Sequence, residues 1–227
     1  MKKLSVIIPV YNEKDTISEI IRRVKASPFP KELIIVDDCS TDGTSAILKQ
    51  ISDPEIIILF HEKNAGKGAA IRTAVEKISG DVALIQDADL EYNPKDYPQL
   101  LQPILDDVAD VVYGSRFLGG PHRVLFFWHY FGNFIFTLLT NILYNINLSD
   151  MGTCYKVFKT EVLKSFQIKS NRFGVEPEMT AKICKQKLRI YETPVSYSGR
   201  TYEEGKKITW KDGLHYLWAL LKYRITD

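Results

Sequence analysis

Two carboxylates flank one small residue in Asp87-Ala88-Asp89, directly after the apolar run Val82–Gln86. At the end of a strand that spacing offers two hard oxygen ligands to a divalent cation, which a diphosphate could share. Mg2+ or Mn2+ suits such a set. Without a cation the same two charges would repel, at a cost that grows with burial, and a lone Asp-x-Asp is equally a helix cap or a loop pair. Three more polar clusters close apolar runs: Tyr11-Asn12-Glu13, Asp37-Asp38 and Gly114-Ser115-Arg116. Open α/β sheets bind ligands outside the carboxyl ends of their strands. Clusters at four such ends therefore predict one site.

Asp37 or Asp38 can accept a hydrogen bond from a nucleobase N–H or a ribose hydroxyl, whereas Asp42-Gly43-Thr44 reads as a turn and helix start. Gly66-Lys67-Gly68 precedes a helical pattern, as a phosphate cradle would, but lacks the spacing and the Lys-Ser/Thr ending of a P-loop. Pro9-Val10-Tyr11-Asn12-Glu13 fills the place where a dinucleotide-binding domain carries its glycine-rich turn, which argues against that class.

Short apolar runs must hold these clusters in place. Strands are predicted at Leu4–Pro9, Leu33–Asp37, Ile56–Phe60, Val82–Gln86 and Asp110–Tyr113, alternating with helices as in consecutive βαβ units. Ile17, Ile20, Ile21 and Val24 recur at i, i+3, i+4 and i+7, the apolar face of a helix that stops before Pro28. Further helices follow Thr44 and Gly68, and another opens near Pro94-Lys95-Asp96. Past Arg116 the pattern changes. Val124–Leu148 contains no Asp, Glu, Lys or Arg and is long enough to cross a bilayer at ~20 residues per span. Within it His129, Asn133, Thr137, Asn141 and Asn145 recur every fourth residue, a polar stripe on an otherwise apolar cylinder. Beyond lie a strand or turn at Thr153–Phe158, a helix through Glu178–Lys187, a strand at Arg189–Val195, a basic loop at Arg200–Lys207 and a last helix at Trp210–Arg224.

The chain has 227 residues, 45% of them hydrophobic and 26% charged, which fits one domain with a real core. Thirty basic against 28 acidic residues leave +2, too little for a nucleic-acid binder that works by neutralising phosphates. Cys39, Cys154 and Cys184 are odd in number and widely spaced, so reduced thiols in a cytoplasmic compartment are expected. The N-terminal apolar run is too short for a signal-peptide core.

Pro9-Val10-Tyr11-Asn12-Glu13, the segment Asp37–Thr44, Asn64-Ala65-Gly66-Lys67-Gly68, Asp87-Ala88-Asp89-Leu90 and Gly114-Ser115-Arg116 together resemble glycosyltransferase family 2, with the GT-A fold. The segments Asp150–Lys156, Glu176–Met179 and Arg200–Lys207 extend the similarity to polyprenyl-phosphate sugar transferases of the dolichol-phosphate mannose synthase type. The resemblance implies a Rossmann-like, mostly parallel sheet flanked by helices, with amphipathic helices at a membrane interface. Residues 1–116 would form the nucleotide-sugar half and 117–227 the acceptor-binding and interfacial half of one domain. Pro9, Tyr11 and Glu13 would line the base and ribose pocket with Asp37 or Asp38. Lys67, Asp87, Ala88 and Asp89 would meet the donor, and Asp87, Asp89 and Glu91 the Mg2+ or Mn2+. Arg116 and Arg200 would face phosphates, with Lys206 or Lys207 on the same mobile loop, and Arg123 or His129 stands nearest to a second acceptor-phosphate cation.

The implied reaction is inverting transfer of a hexose from a nucleotide diphosphate sugar, GDP-mannose or UDP-glucose in type, to dolichyl or undecaprenyl phosphate. Such an acceptor is already anionic, so the site needs cations more than a base. A saccharide hydroxyl acceptor would instead require a carboxylate base. Glu176 and Glu178 are the candidates, although both, with Pro177, also suit the first turn of a helix. Intact Asp87, Asp89 and Arg116 weigh against a scaffold without turnover. A single crossing by Val124–Leu148 would separate those residues from Arg200, Lys206 and Lys207. The segment is therefore expected to lie against the cytoplasmic membrane face, with a buried hairpin as the alternative. Trp210, Tyr216, Trp218 and Tyr223, interleaved with Lys211, Lys222 and Arg224, are expected to make the last helix a second interfacial element.

Overall fold

Continuous apolar strands bury both faces of a parallel sheet, as β1 (Leu4–Val10), β2 (Lys31–Asp37) and β4 (Val82–Ile85) do in this chain, with β3 (Ile56–Phe60) beside β2 as a half-exposed edge strand. The computed structural model describes residues 2–205 and 210–226. Helices α1 (Ile17–Lys25), α2 (Thr44–Leu48), α3 (Lys67–Val75) and α4 (Tyr97–Leu105) alternate with these strands and with β5 (Val111–Ser115). The sheet runs β3-β2-β1-β4, then β6 (Lys156–Lys159), β5 and β7 (Ile190–Pro194), with β6 antiparallel to both neighbours. Because side chains alternate across a strand, Val6, Ile8, Leu33 and Ile35 join α1 and α4 in one core, while Ile7, Ile34 and Val36 join α3 in another.

The first half follows the sequence expectation closely, and the second departs from it in bounds. β5 continues to Ser115 because its parallel ladder with β7 runs on to Pro194. β6 begins at Lys156, leaving residues 150–155 as a loop above the sheet. After the short α6 (Thr160–Lys164), the helix expected over Glu178–Lys187 is α7 (Val175–Lys185). Pro177 sits in its first turn, where no backbone donor is needed, and the chain leaves the helix at Lys187, which has φ +54°.

One helix, α5 (Phe127–Tyr144), carries the polar stripe, and that stripe holds a loop. Asn141 accepts from Leu148 N at 2.9 Å and donates to its carbonyl at 2.8 Å, and the Thr137 hydroxyl accepts from Met151 N at 3.2 Å. Asn145 ends the helix in the left-handed region with φ +53°. The opposite face, with Phe127, Trp128, Phe131, Phe134, Leu138 and Ile142, is exposed, so the buried-hairpin alternative is not the arrangement found. On α8 (Trp210–Ile225), Trp218, Leu221 and Ile225 face outward. Tyr223 is buried and the Tyr216 hydroxyl donates to Met151 Sδ at 3.1 Å, so these two tyrosines, expected at the interface, belong to the interior. Among the described residues no helix is long and apolar enough to cross a membrane.

Candidate active site

The carboxyl ends of β1, β2, β4 and β5, with the residues that follow them, carry the four polar clusters, and the start of α3 brings Lys67 to them. Gly66 takes φ +98°, and a Cβ on Gly68 would lie 2.1 Å from the Ser170 carbonyl oxygen, so only glycine lets α3 start so close to the 170–171 loop. Lys67 Nζ thereby reaches Asp87 Oδ1 at 2.8 Å, Cys154 Sγ at 3.1 Å and Glu176 Oε1 at 3.2 Å. Burial works against its charge, but Asp87 foremost, with Glu176, holds the ammonium well above the ordinary lysine range.

The two aspartates are therefore unequal. Burial raises Asp87, but Lys67 outweighs it and keeps its carboxyl below the usual value. Among the described residues no cation pairs with the Asp89 carboxyl, and burial, reinforced by the charges of Asp87 and Glu91, outweighs the opposing charge of Arg200 and pushes its pKa up to about 8. A buried carboxyl that holds its proton because like charges surround it is a place where a divalent cation relieves the repulsion. Two carboxylate oxygens plus phosphate oxygens make an ordinary Mg2+ or Mn2+ set. The residues present fit the ion on that ground, through Asp87 and Asp89.

Glu91 is engaged by other partners. Its Oε1 accepts from Arg200 N at 2.7 Å and its Oε2 from the Tyr197 hydroxyl at 2.8 Å. Among the described residues no three His, Cys, Asp or Glu side chains are grouped to hold a metal. The expected third ligand is turned toward the 197–200 segment instead.

Arg116 leaves β5 into a fork with Asp150, while its Nη2 also lies 3.3 Å from Asn133 Oδ1 on α5 and its guanidinium stands over the Tyr197 ring at 5.1 Å. Arg200 reaches the same region from the other side. Its guanidinium donates to Glu13 Oε2 at 2.8 Å and Oε1 at 3.2 Å, and its Nε to the Asp89 carbonyl at 3.0 Å. Glu13, expected in the base and ribose pocket, is here the counter-ion of Arg200 and also accepts from the Thr16 hydroxyl.

Other expected residues are placed less directly. Asp37 accepts from Ser40 N and from the Ser45 hydroxyl. Asp38 accepts from Ala65 N at 2.9 Å, Gly66 N at 2.6 Å and His61 at 2.7 Å, so it shapes the loop that presents Lys67. Asp42 caps Thr44, as a turn residue should. Pro9 lies in the β1–β2 ladder, Tyr11 is part-exposed beyond it, and Ala88 is buried beneath the site. Arg123 and His129 meet the 199–205 loop, the first through Glu204 and the Gly199 carbonyl and the second through the Tyr202 hydroxyl at 2.8 Å. Lys206 and Lys207 lie outside the described residues.

The two glutamates proposed as bases differ. Glu178 accepts from Lys169 N, Ser170 N and Lys182 Nζ, which fixes it as a structural anchor. Glu176 faces Lys67, and its Oε2 is buried with no hydrogen-bond partner among the described residues. Sequence reasoning missed Tyr197 and Glu192. The latter accepts from Ser149 N and Asp150 N and so holds the loop that carries Asp150. It missed Lys156 too, fully buried with Nζ on the Met151 carbonyl and pushed down to about 8 by burial. Only Asp150 and Lys156 had a signal, since both close the segment singled out by its resemblance.

Asp87 with Asp89, Arg116 with Arg200 and a helix with a bare apolar face thus lie together at the carboxyl ends of β1, β4 and β5. Over residues 5–166 the chain matches the family described as Glycosyl transferase family 2. An undecaprenyl-phosphate mannosyltransferase of Micrococcus luteus is 29% identical over 88% of this chain and 85% of its own length. A UDP-N-acetylglucosamine–dolichyl-phosphate N-acetylglucosaminyltransferase of Methanococcus voltae is 26% identical over 99% of this chain and 97% of its own. Glucosyl-3-phosphoglycerate synthase of Mycobacterium tuberculosis, crystallised with Mn2+, UDP and phosphoglyceric acid, has the same GT-A fold. Its TM-score is 0.73 at 20% identity, covering 100% of this chain and 80% of that one.

Proposed function

The chain belongs to glycosyltransferase family 2, and on that footing we propose that it moves a hexose, with inversion, from a nucleotide diphosphate sugar to a polyprenyl phosphate at a membrane surface. One observation carries the acceptor class. Asn133 on the inner face of α5 contacts both Arg116 and Asp150, while the outer face of the same helix is bare aromatic and aliphatic surface. A lipid phosphate has the same division, an anionic head and an apolar tail. The two relatives whose names specify undecaprenyl and dolichyl phosphate support that reading.

In this reaction an acceptor phosphate oxygen attacks the anomeric carbon, the new C–O bond forms as the bond to the diphosphate breaks, and the nucleoside diphosphate leaves with that electron pair. The oxyanion needs no deprotonation, so the protein contributes position and charge. Arg116, held through Nε and Nη2 by Asp150, offers the rest of its guanidinium to phosphate oxygens, and Arg200 exchanges Glu13 for the donor diphosphate. Lys67 keeps Asp87 ionised, and Asp87 and Asp89 would hold the divalent ion. That ion supplies charge stabilisation for the leaving diphosphate.

The hydroxyl-acceptor alternative keeps one observation in its favour, Glu176 Oε2, which has no hydrogen-bond partner among the described residues and lies beside Lys67. The two readings separate in an assay with UDP-glucose and GDP-mannose, Mn2+, and vesicles containing undecaprenyl or dolichyl phosphate. An acid-labile lipid-linked hexose is expected. Transfer to sugar hydroxyls alone would replace the lipid acceptor.

A further inference from the structure

Lys156 opens β6 in the middle of the sheet, opposite Ile85 of β4 and Tyr113 of β5, and is fully buried. A buried ammonium is costly unless its protons find acceptors. Here Nζ donates to the Met151 carbonyl at 3.2 Å and to the Thr153 carbonyl, and it stands 4.7 Å from the centre of the Tyr113 ring. Among the described residues it forms no ion pair. Burial works against its charge, and Glu176, the partner of Lys67, does most to offset that. A methionine would fill the same space without the penalty. The charge sits where two carbonyls of one loop share a donor.

That loop, residues 150–155, touches both halves of the site. At its start Asp150 forks Arg116. Near its end Cys154 Sγ lies 3.1 Å from Nζ of Lys67, the lysine that pairs with Asp87. The Thr153 hydroxyl donates to the Gly114 carbonyl at 2.5 Å, and Cys154 N donates to the Tyr92 hydroxyl at 3.2 Å. Met151 and Thr153 therefore lie between the residue that holds the arginine and the residue that meets the lysine, and Lys156 binds both.

We propose that Lys156 is a positioning residue for glycosyl transfer: its ammonium gathers the Met151 and Thr153 carbonyls and so fixes the loop that sets Arg116 against Lys67 and Asp87. This rests on the reading of Arg116 and Lys67 as parts of one transfer site. An arginine keeps the charge and several N–H donors, whereas a methionine has none.

The test compares Lys156→Met with Lys156→Arg in a chain carrying Cys39→Ser and Cys184→Ser, which leaves Cys154 as the sole thiol. Two readouts are taken well below the melting temperature of each variant. One is the rate of Cys154 alkylation by iodoacetamide without substrate, and the other is kcat with Mn2+, for transfer and for donor hydrolysis. Lys156→Met should speed alkylation by ~10-fold or more, as a freed loop opens more often. Its kcat should fall by ~10-fold to ~100-fold, the scale of a reacting group displaced by about 1 Å, with donor KM less affected. Lys156→Arg should restore most of both.

An unchanged kcat in Lys156→Met would overturn the proposal. So would a loss of kcat with unchanged alkylation, or Lys156→Arg as impaired as Lys156→Met. Should Lys156→Met not fold, Lys156→Gln takes its place, a neutral and shorter side chain from which the same two shifts are required. Alkylation needs no substrate and donor hydrolysis needs no acceptor, so a wrong acceptor assignment would show in the transfer product and leave this test intact.

Discussion

Arg116 and Asp150 meet as a fork, with Nε 2.6 Å from Oδ2 and Nη2 2.7 Å from Oδ1, and the aspartate is fully buried. The pair joins the end of β5 to a loop that α5 and Glu192 also hold, so the guanidinium is fixed on several sides. A planar, bidentate partner is what arginine offers and lysine does not. Arg116→Lys should therefore lose ~100-fold or more in transfer rate while binding Mn2+ normally. Asp150→Ala should also destabilise the fold, by ~3 kcal/mol or more, because it leaves a buried cation unpaired. Kinetics and urea denaturation of the two variants check both statements, and a fully active Arg116→Lys would remove Arg116 from the reaction.

Asp89 predicts a proton-linked metal. With its pKa near 8, the carboxyl must release a proton before it can bind a cation, so Mn2+ affinity should weaken by up to ~10-fold for each pH unit below that value. Asp89→Asn removes the titrating group, and with it the slope and donor turnover. Calorimetric Mn2+ titrations at three pH values measure this directly. A pH-independent affinity in the wild type would assign the ion elsewhere.

Much of this arrangement was legible in the sequence wherever chemistry and periodicity coincide. Apolar runs ending in Glu13, Asp37-Asp38 and Asp87-Asp89 become neighbouring strand ends, and the Arg116 end of β5 falls on the same side of the sheet across antiparallel β6, because parallel strands in one sheet bring their carboxyl ends together. What could not be read was how each polar group is engaged. Glu91 and Asp89 have similar sequence surroundings, and only the left-handed turn at Leu90 and the approach of residues 197–200 give them different partners. Tyr216 and Tyr223 share a helix with Trp218, but packing on α5 and α7 turns them inward, which composition does not encode.

Glu32 should govern acid stability. Its carboxylate takes Lys3 Nζ at 2.5 Å, the Ser5 hydroxyl at 2.7 Å and the Ser79 hydroxyl at 2.6 Å, tying the starts of β1 and β2 to the turn before β4. Burial opposes its charge, but these bonds hold the pKa at about 2, below its value of 4.5 in an unfolded chain. Between those values the unfolded state binds more protons. The contribution is thus complete above about 4.5 and is lost as pH falls toward 2. Glu32→Gln should cost ~2 kcal/mol at neutral pH and flatten the dependence in that acid window. Urea melts across the window show whether the slope disappears.

The exposed face of α5 should govern attachment to lipid. Phe127 and Trp128 are 62% and 76% exposed, next to Phe131 and without a charged residue along the helix. Burying such rings is worth ~1.5–3 kcal/mol each when complete, and less at a partly wet interface. Replacing Phe127 and Trp128 with serine should therefore weaken co-sedimentation with anionic vesicles by ~10-fold or more, while donor hydrolysis in solution stays near wild type. Trp218→Ser, on the outer face of α8, should weaken it further. Tyr223→Ser serves as the contrast, because that ring is buried and its loss should lower the melting temperature rather than act on lipid alone. Vesicle binding that survives the α5 changes would move the lipid-facing surface away from this helix, and with it the main support for a polyprenyl phosphate acceptor.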